Sequence, residues 1–179
     1  MTDTGRTDEE SKRDSEPKEA RSKKDRKTAY GKALDLLGRQ PRTDAGLRLL
    51  LRKAGYTQDE TDDALLRLTE DGYVDDASFA VRCLEILMEK RRGRRRAIDE
   101  LRRKGIPEAL ARSTVAEGYP AETERENARS VAARALAEAG LDREKARRRV
   151  TLRLVGQGYD EGTIRSVLSE VAGGMRETD

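Results

Sequence analysis

The stretch that determines the fold runs from residue 55 to 76 and reads GYTQDETDDALLRLTEDGYVDD. Within it, the apolar side chains of Ala64, Leu65 and Leu68 have the spacing of one face of a helix. Gly55-Tyr56 precedes these apolar residues and Gly72-Tyr73 follows them. Because a glycine after the last apolar position is typical of a helix C-terminus, we predict one short helix between two glycine-terminated helix ends.

The same glycine pattern recurs along the chain. Gly105 follows Gly55 by 50 residues, and Gly158 follows Gly105 by 53. Gly72 and Gly118 form a second matching pair, and a Tyr or Ile follows all five glycines. We expect each glycine to adopt the left-handed conformation that ends a helix. The periodicity predicts an all-α fold of three tandem three-helix repeats that form an elongated, curved helical array.

The repeat boundaries follow from where the apolar spacing begins and ends. We place the repeats at residues 28–75, 76–121 and 122–173. Residues 1–27 hold nine basic and eight acidic side chains and almost nothing apolar, so we predict a disordered charged tail. Residues 174–179 form a short C-terminal tail.

The composition excludes several classes of protein. The 179 residues include no His, which removes Ser-His-Asp and Cys-His nucleophiles and His-ligated metals. One cysteine, Cys83, is too few for a thiolate zinc site, and the sequence contains no Gly-rich phosphate loop. We therefore predict a protein that is not an enzyme and holds no cofactor or metal. No apolar run is long enough for a membrane span or a signal peptide, so we expect a cytoplasmic protein. We also expect it to be a monomer.

Two blocks of sequence carry a family resemblance. Residues 72–80 read GYVDDASFA and residues 93–106 read GRRRAIDELRRKGI. The chain resembles the RecX family of bacterial regulatory proteins, whose first signature, Gly-Tyr-Leu-Asp-Asp-x-x-Phe-Ala, it matches except for Val74. The second block departs from the family pattern at Ala97, where the family has Ile. The resemblance covers about residues 28–173, and its signature residues are Gly72, Tyr73, Asp75, Asp76, Phe79 and Gly105.

This resemblance implies a partner and an activity. A RecX-like protein is expected to lie in the groove of the filament that the RecA recombinase forms on single-stranded DNA. It would block growth of the filament or promote its disassembly, and so lower its ATPase and strand exchange. The resemblance implies no catalysis by the chain itself.

The signature residues also have a purely structural interpretation. Asp75 and Asp76 stand where a helix begins, so we expect them to cap it. We expect Tyr73 and Phe79 to pack between repeats. Direct contact of Asp75 with a partner is the alternative.

The charge pattern identifies a candidate binding surface. Residues 58–76 carry eight acids and one base, whereas residues 89–104 carry nine bases against three acids, and residues 143–153 six against one. Such a density of positive charge repels itself unless an anion neutralises it. We predict that these basic side chains engage the filament or DNA: Arg91, Arg92, Arg94, Arg95, Arg96, Arg102, Arg103, Lys104, Arg147, Arg148 and Arg149.

The sequence leaves the chemistry of the partner open between DNA phosphate and acidic residues of the recombinase. No aromatic side chains alternate with the arginines, so base stacking is not expected, and contact with single-stranded DNA would be limited to its backbone. Three alternatives remain for this pattern: a solvated face without a ligand, a free-standing DNA-binding module without sequence specificity, and a helical-repeat adaptor unrelated to nucleic acid.

Overall fold

The computed structural model describes residues 26–138 and 143–174, and within these ranges it contains nine helices and no strand. Three consecutive helices form each repeat, which confirms the predicted all-α architecture of three tandem repeats. The predicted tails lie outside the described residues except for Arg26, Lys27 and Gly174. The helices are α1 Ala29–Leu37, α2 Asp44–Lys53, α3 Gln58–Glu70, α4 Asp76–Glu89, α5 Arg94–Arg103, α6 Glu108–Gly118, α7 Ala121–Ala137, α8 Arg143–Gln157 and α9 Glu161–Gly174.

Each repeat has its own apolar core. In the first repeat, Leu47 and Leu51 of α2 pack with Leu65 and Leu68 of α3, and all four are buried. The equivalent cores of the second and third repeats are built from α4 to α6 and from α7 to α9. Burial of each leucine contributes about 2 kcal/mol of hydrophobic free energy to the core of its repeat.

Four of the five predicted glycines end their helices in the left-handed conformation. Gly55, Gly72, Gly105 and Gly158 have φ between +75° and +93°. At the first of them, the backbone N–H of Tyr56 donates to the Leu51 carbonyl at 3.1 Å, and the other three ends repeat this bond. These bonds satisfy helix carbonyls that would otherwise lack a donor.

Gly118 does not follow this pattern, and the expectation of a left-handed conformation there is wrong. It is the last residue of α6. Tyr119 precedes Pro120, and a residue before proline favours the extended conformation that Tyr119 adopts, so the helix ends without a left-handed glycine. A Cβ on Gly118 would lie 2.9 Å from Cδ2 of Leu84, so the glycine permits close packing of α6 against α4.

The C-terminus of the middle helix of one repeat meets the N-terminus of the middle helix of the preceding repeat. The Thr43 hydroxyl, at the start of α2, donates to the Lys104 carbonyl at the end of α5 at 2.7 Å. The Gly93 N–H, at the start of α5, donates to the Gln157 carbonyl at the end of α8 at 2.9 Å. Because a helix N-terminus carries partial positive charge and a C-terminus partial negative charge, these junctions are electrostatically favourable.

The two signature aspartates cap different helices. Asp75 accepts from the backbone N–H of Ser78 at 2.9 Å and so caps α4. Asp76 instead accepts from the backbone N–H of Asp44 at 3.0 Å, which caps α2 of the preceding repeat. The expectation that both residues cap α4 is therefore wrong for Asp76, which is already the first residue of that helix and directs its carboxylate across the junction.

The two signature aromatics are less buried than expected. Tyr73 is 57% exposed, so the expectation that it packs between repeats is wrong. Its backbone N–H closes the end of α3 on the Leu68 carbonyl, and the next residue, Val74, takes the buried position. Phe79 is half-buried against the core of the second repeat.

The partial burial of Phe79 sets the expected effect of truncating it. Phe79→Ala should lower the free energy of unfolding by about 1–3 kcal/mol, below the roughly 3–5 kcal/mol typical of fully buried aromatics. Urea denaturation measures the loss, and Val81→Ala on the exposed side of the same helix is the matched control. Equal midpoints for the two variants would show that Phe79 contributes nothing to the core.

The residues just before α1 contact the free end of the first repeat. The Arg26 guanidinium lies 3.9 Å from the centre of the Tyr56 ring, donates to the Gly55 carbonyl at 2.9 Å and pairs with Glu60 at 3.0 Å. In the other two repeats, the glycine equivalent to Gly55 meets the N-terminus of a neighbouring middle helix. The Arg26 cation therefore occupies the place that a helix N-terminus takes elsewhere.

Removal of this cation should weaken the first repeat. Arg26→Ala is expected to lower the melting temperature by a few degrees, because the Gly55 carbonyl and the Tyr56 ring lose their partner. Arg52→Ala, an exposed position near the end of α2, is the control and should leave the melting temperature unchanged. Equal melting temperatures would contradict a structural role for Arg26.

Candidate basic interface

The two basic segments predicted from the sequence meet at the junction of the second and third repeats. The backbone N–H of Arg95 donates to the Gly158 carbonyl at 3.2 Å, and Nη1 of Arg96 donates to the Gly156 carbonyl at 2.9 Å. Two glycines allow this approach, since a Cβ on Gly93 would lie 2.5 Å from the Gly158 carbonyl oxygen. The start of α5 is therefore joined directly to the end of α8.

Beside this junction lies a cleft that we call the basic cleft. It consists of two adjoining hollows of about 500 and 460 Å³, which share Arg92, Arg153 and Gln157. Two acids also contribute to its walls, Glu89 and Glu138. Seven bases line it: Lys90, Arg91, Arg92, Arg96, Arg134, Arg149 and Arg153.

The loop between α4 and α5 is held in place by two buried tyrosines. Arg91 has a φ of +53°, which costs a residue other than glycine roughly 1 kcal/mol. The Tyr159 hydroxyl donates to the Arg91 carbonyl at 2.8 Å, and the Tyr119 hydroxyl donates to the Arg92 carbonyl at 2.9 Å. Burial raises the pKa of both tyrosines above the ordinary value.

A buried carboxylate neutralises part of the first basic segment. Glu124 of α7 is 4% exposed; it accepts from the backbone N–H of Arg94 at 3.0 Å and pairs with Nε of Arg94 at 3.1 Å. Burial raises the pKa of Glu124, and the Arg94 N–H and its charge oppose that rise. The carboxylate also stands at the N-terminus of α5, where negative charge is favourable.

The predicted arginines of residues 91–96 therefore divide into two groups. Arg92, Arg94 and Arg96 are half-buried; besides the Glu124 pair, Arg92 bonds to the Gln157 side chain and Arg94 to the Tyr119 carbonyl. All three side chains help to join the second and third repeats, and Arg92 and Arg96 also line the basic cleft. The side chains of Arg91 and Arg95 are exposed.

The remaining bases predicted on α5 lie at its other end. Arg102 pairs with Glu108 at 3.4 Å, and Arg103 lies 4.0 Å from Glu100. At 1.5 Å per residue, Arg103 is about 12 Å along the helix from Arg95. Neither these two arginines nor Lys104 lines the basic cleft.

The bases on α7 and α8 differ in where they lie relative to the basic cleft. Arg149 lines the basic cleft and donates to the Glu138 carbonyl at 2.6 Å, whereas Arg147 and Arg148 are exposed outside it. Arg134 is a cleft residue that sequence reasoning missed. It stands alone among alanines on α7, and no local charge pattern distinguishes it.

The fold and this surface define a class of protein: a tandem helical-repeat protein with a basic cleft where two repeats join. The family model described as the first three-helix domain of RecX matches residues 29–68. The regulatory protein RecX of Streptomyces coelicolor is 38% identical over 143 residues, which cover 76% of each chain. The regulatory protein RecX of Amycolatopsis mediterranei is 31% identical over 160 residues, which cover 86% of each chain.

Solved structures agree with these sequence relatives. The crystal structure of RecX from Lactobacillus salivarius superposes with a TM-score of 0.74 at 18% identity, over 80% of this chain and 94% of that one. The chain belongs to the RecX family, whose members named above are regulatory proteins. In the part of the chain that the structure describes, no helix combines the length and apolar character needed to cross a bilayer.

Proposed function

We propose that this protein is a non-enzymatic regulator that binds the RecA filament on single-stranded DNA and inhibits its assembly, ATPase and strand exchange. It would act in the cytoplasm, where the recombinase works on DNA. The basic cleft is the surface by which it engages the filament.

The observation that carries this proposal is the concentration of positive charge in the basic cleft. Seven bases and two acids line it, and Arg153 pairs with one of these acids, Glu138, at 3.2 Å, so the cleft stays positive overall and favours an anionic partner. A recombinase filament on DNA offers anions of two kinds, the phosphates and the acidic side chains of the protein. Arginine donates two parallel hydrogen bonds to either group.

Recombinase ATPase activity on single-stranded DNA, measured with increasing amounts of this protein, tests the proposal. We expect ATPase to fall, and co-sedimentation to show stronger binding to the filament than to bare single-stranded DNA. Equal binding to both would favour a free-standing DNA-binding module. Unchanged ATPase together with no binding to either would overturn the proposal and favour an adaptor unrelated to nucleic acid.

A further inference from the structure

Two large apolar side chains stand exposed on α8. Leu152 is 63% exposed and Val155 is 58% exposed. They are three residues apart on one helix, so they lie on the same side of it. Among the third-repeat residues whose side chains the structure describes, these are the only strongly exposed large apolar ones. We call this pair the apolar ridge.

Arginines flank the apolar ridge on both sides. Leu152 forms part of the basic cleft. Val155 lines a separate groove of about 440 Å³, to which Arg95 and Arg103 contribute. The two hollows share Arg96 and Gly156, so the ridge stands between them.

The flanking arginines are available to an incoming partner. Arg95 is exposed, and the side chain of Arg103 is 71% exposed with only a 4.0 Å ion pair to Glu100. An exposed pair at this distance contributes little, so the guanidinium can exchange Glu100 for a carboxylate of the partner. Two acids, Asp99 and Glu161, also line the groove and limit its net positive charge.

This combination of side chains distinguishes between the two kinds of anion. A phosphate backbone has no apolar group to cover Leu152 and Val155, and these aliphatic side chains lack the ring on which a base would stack. Protein interfaces commonly have an apolar centre and a polar rim, with arginine enriched among their contacts. A protein segment with aliphatic side chains flanked by carboxylates fits both features.

We infer that the apolar ridge, with Arg95, Arg103 and Arg149 around it, is a docking surface for such an acidic amphipathic protein segment. The inference rests on the proposed function in one respect: it takes the segment to be part of the recombinase. Nucleic acid as the occupant is the competing outcome of the test.

Two synthetic helical peptides test the surface directly with the full chain. One peptide has leucines along one face and glutamates beside them, and the other has serines in place of the leucines. Fluorescence anisotropy should show about tenfold tighter binding of the leucine peptide. This peptide covers Leu152 and Val155, whereas the serine peptide leaves both side chains exposed to water. Equal binding of the two peptides would overturn the inference.

Substitutions then locate the binding. Leu152→Gln/Val155→Thr should remove the preference for the leucine peptide and leave the affinity for oligothymidylate unchanged. Leu49→Gln/Leu66→Gln is the matched control, since both leucines are exposed on the first repeat. Circular dichroism checks that each variant folds, and the comparison of peptides on the parent protein stands even where a variant does not. Weakened oligothymidylate binding in the ridge variant would assign the ridge to nucleic acid and overturn the inference.

The ATPase assay separates this inference from the proposed function. If the parent protein does not inhibit the recombinase, the proposed function fails, while the peptide preference still decides what the ridge binds. If the parent inhibits and the ridge variant inhibits equally well, the filament does not use the ridge, and the inference fails alone. We expect the ridge variant to inhibit about tenfold less potently than both the parent and the control.

Discussion

Gly158→Ala is expected to open the junction between the second and third repeats and to lower the free energy of unfolding by about 4 kcal/mol. The residue has a φ of +84°, where a Cβ costs roughly 1–2 kcal/mol. The added Cβ would also lie 2.6 Å from the backbone nitrogen of Arg96. Since that nitrogen belongs to α5, only separation of the two repeats relieves the contact.

Gly72→Ala is the matched control for this prediction. Gly72 has a φ of +75°, close to that of Gly158, but a Cβ there would meet nothing within 4 Å. The variant should therefore lose only the free energy that a Cβ costs in the left-handed conformation, about 1–2 kcal/mol. Urea denaturation followed by circular dichroism measures both variants. Equal losses in the free energy of unfolding would mean that contact of the added Cβ with α5 costs nothing beyond the backbone strain.

The second large effect concerns binding. Lys90→Ala/Arg134→Ala/Arg149→Ala removes three bases of the basic cleft that do not join the repeats through buried contacts. Binding to the filament should weaken by about tenfold or more while the melting temperature changes little, because arginine and lysine contacts to anions are charge-assisted. If the anions are DNA phosphates, a plot of the logarithm of the binding constant against the logarithm of the salt concentration should also change. Its slope should become shallower by about 0.7 for each phosphate that the variant no longer neutralises.

The contrasting variant is Arg94→Ala/Arg96→Ala. These side chains hold the junction through Glu124 and the Gly156 carbonyl, so their loss should lower the melting temperature and leave Glu124 buried without its cation. Replacing Arg95 together with these two arginines would therefore combine loss of stability with loss of exposed charge. Two results would refute the division between binding and junction arginines. One is a cleft triple variant that inhibits ATPase as well as the parent, and the other is an Arg94/Arg96 variant that keeps full stability.

Most of the fold was predictable from the sequence because its signals are local. The apolar spacing within α3, the cap at Thr57 and the glycine at residue 72 each act within one or two turns of the same helix. Repetition of this pattern every 50 or 53 residues then implied three tandem units. The local rule failed at Gly118, where the following Tyr119–Pro120 pair ends the helix in another way.

The candidate site was predictable only in part. The sequence showed that residues 89–104 and 143–153 are basic, and the structure brings Arg92 and Arg96 of the first segment beside Arg149 of the second. No sequence signal identified Arg134, because its place in the cleft depends on how α7 packs rather than on its neighbours in the chain.

By itself, the sequence determined the helices, their ends, the threefold repeat and the amount of positive charge, since all of these depend on residue types and their spacing. Only the tertiary structure decided which charges are available to a partner. Arg94 and Arg95 are adjacent and chemically identical, but successive residues of a helix point about 100° apart. One therefore faces Glu124 inside the junction, while the other faces solvent.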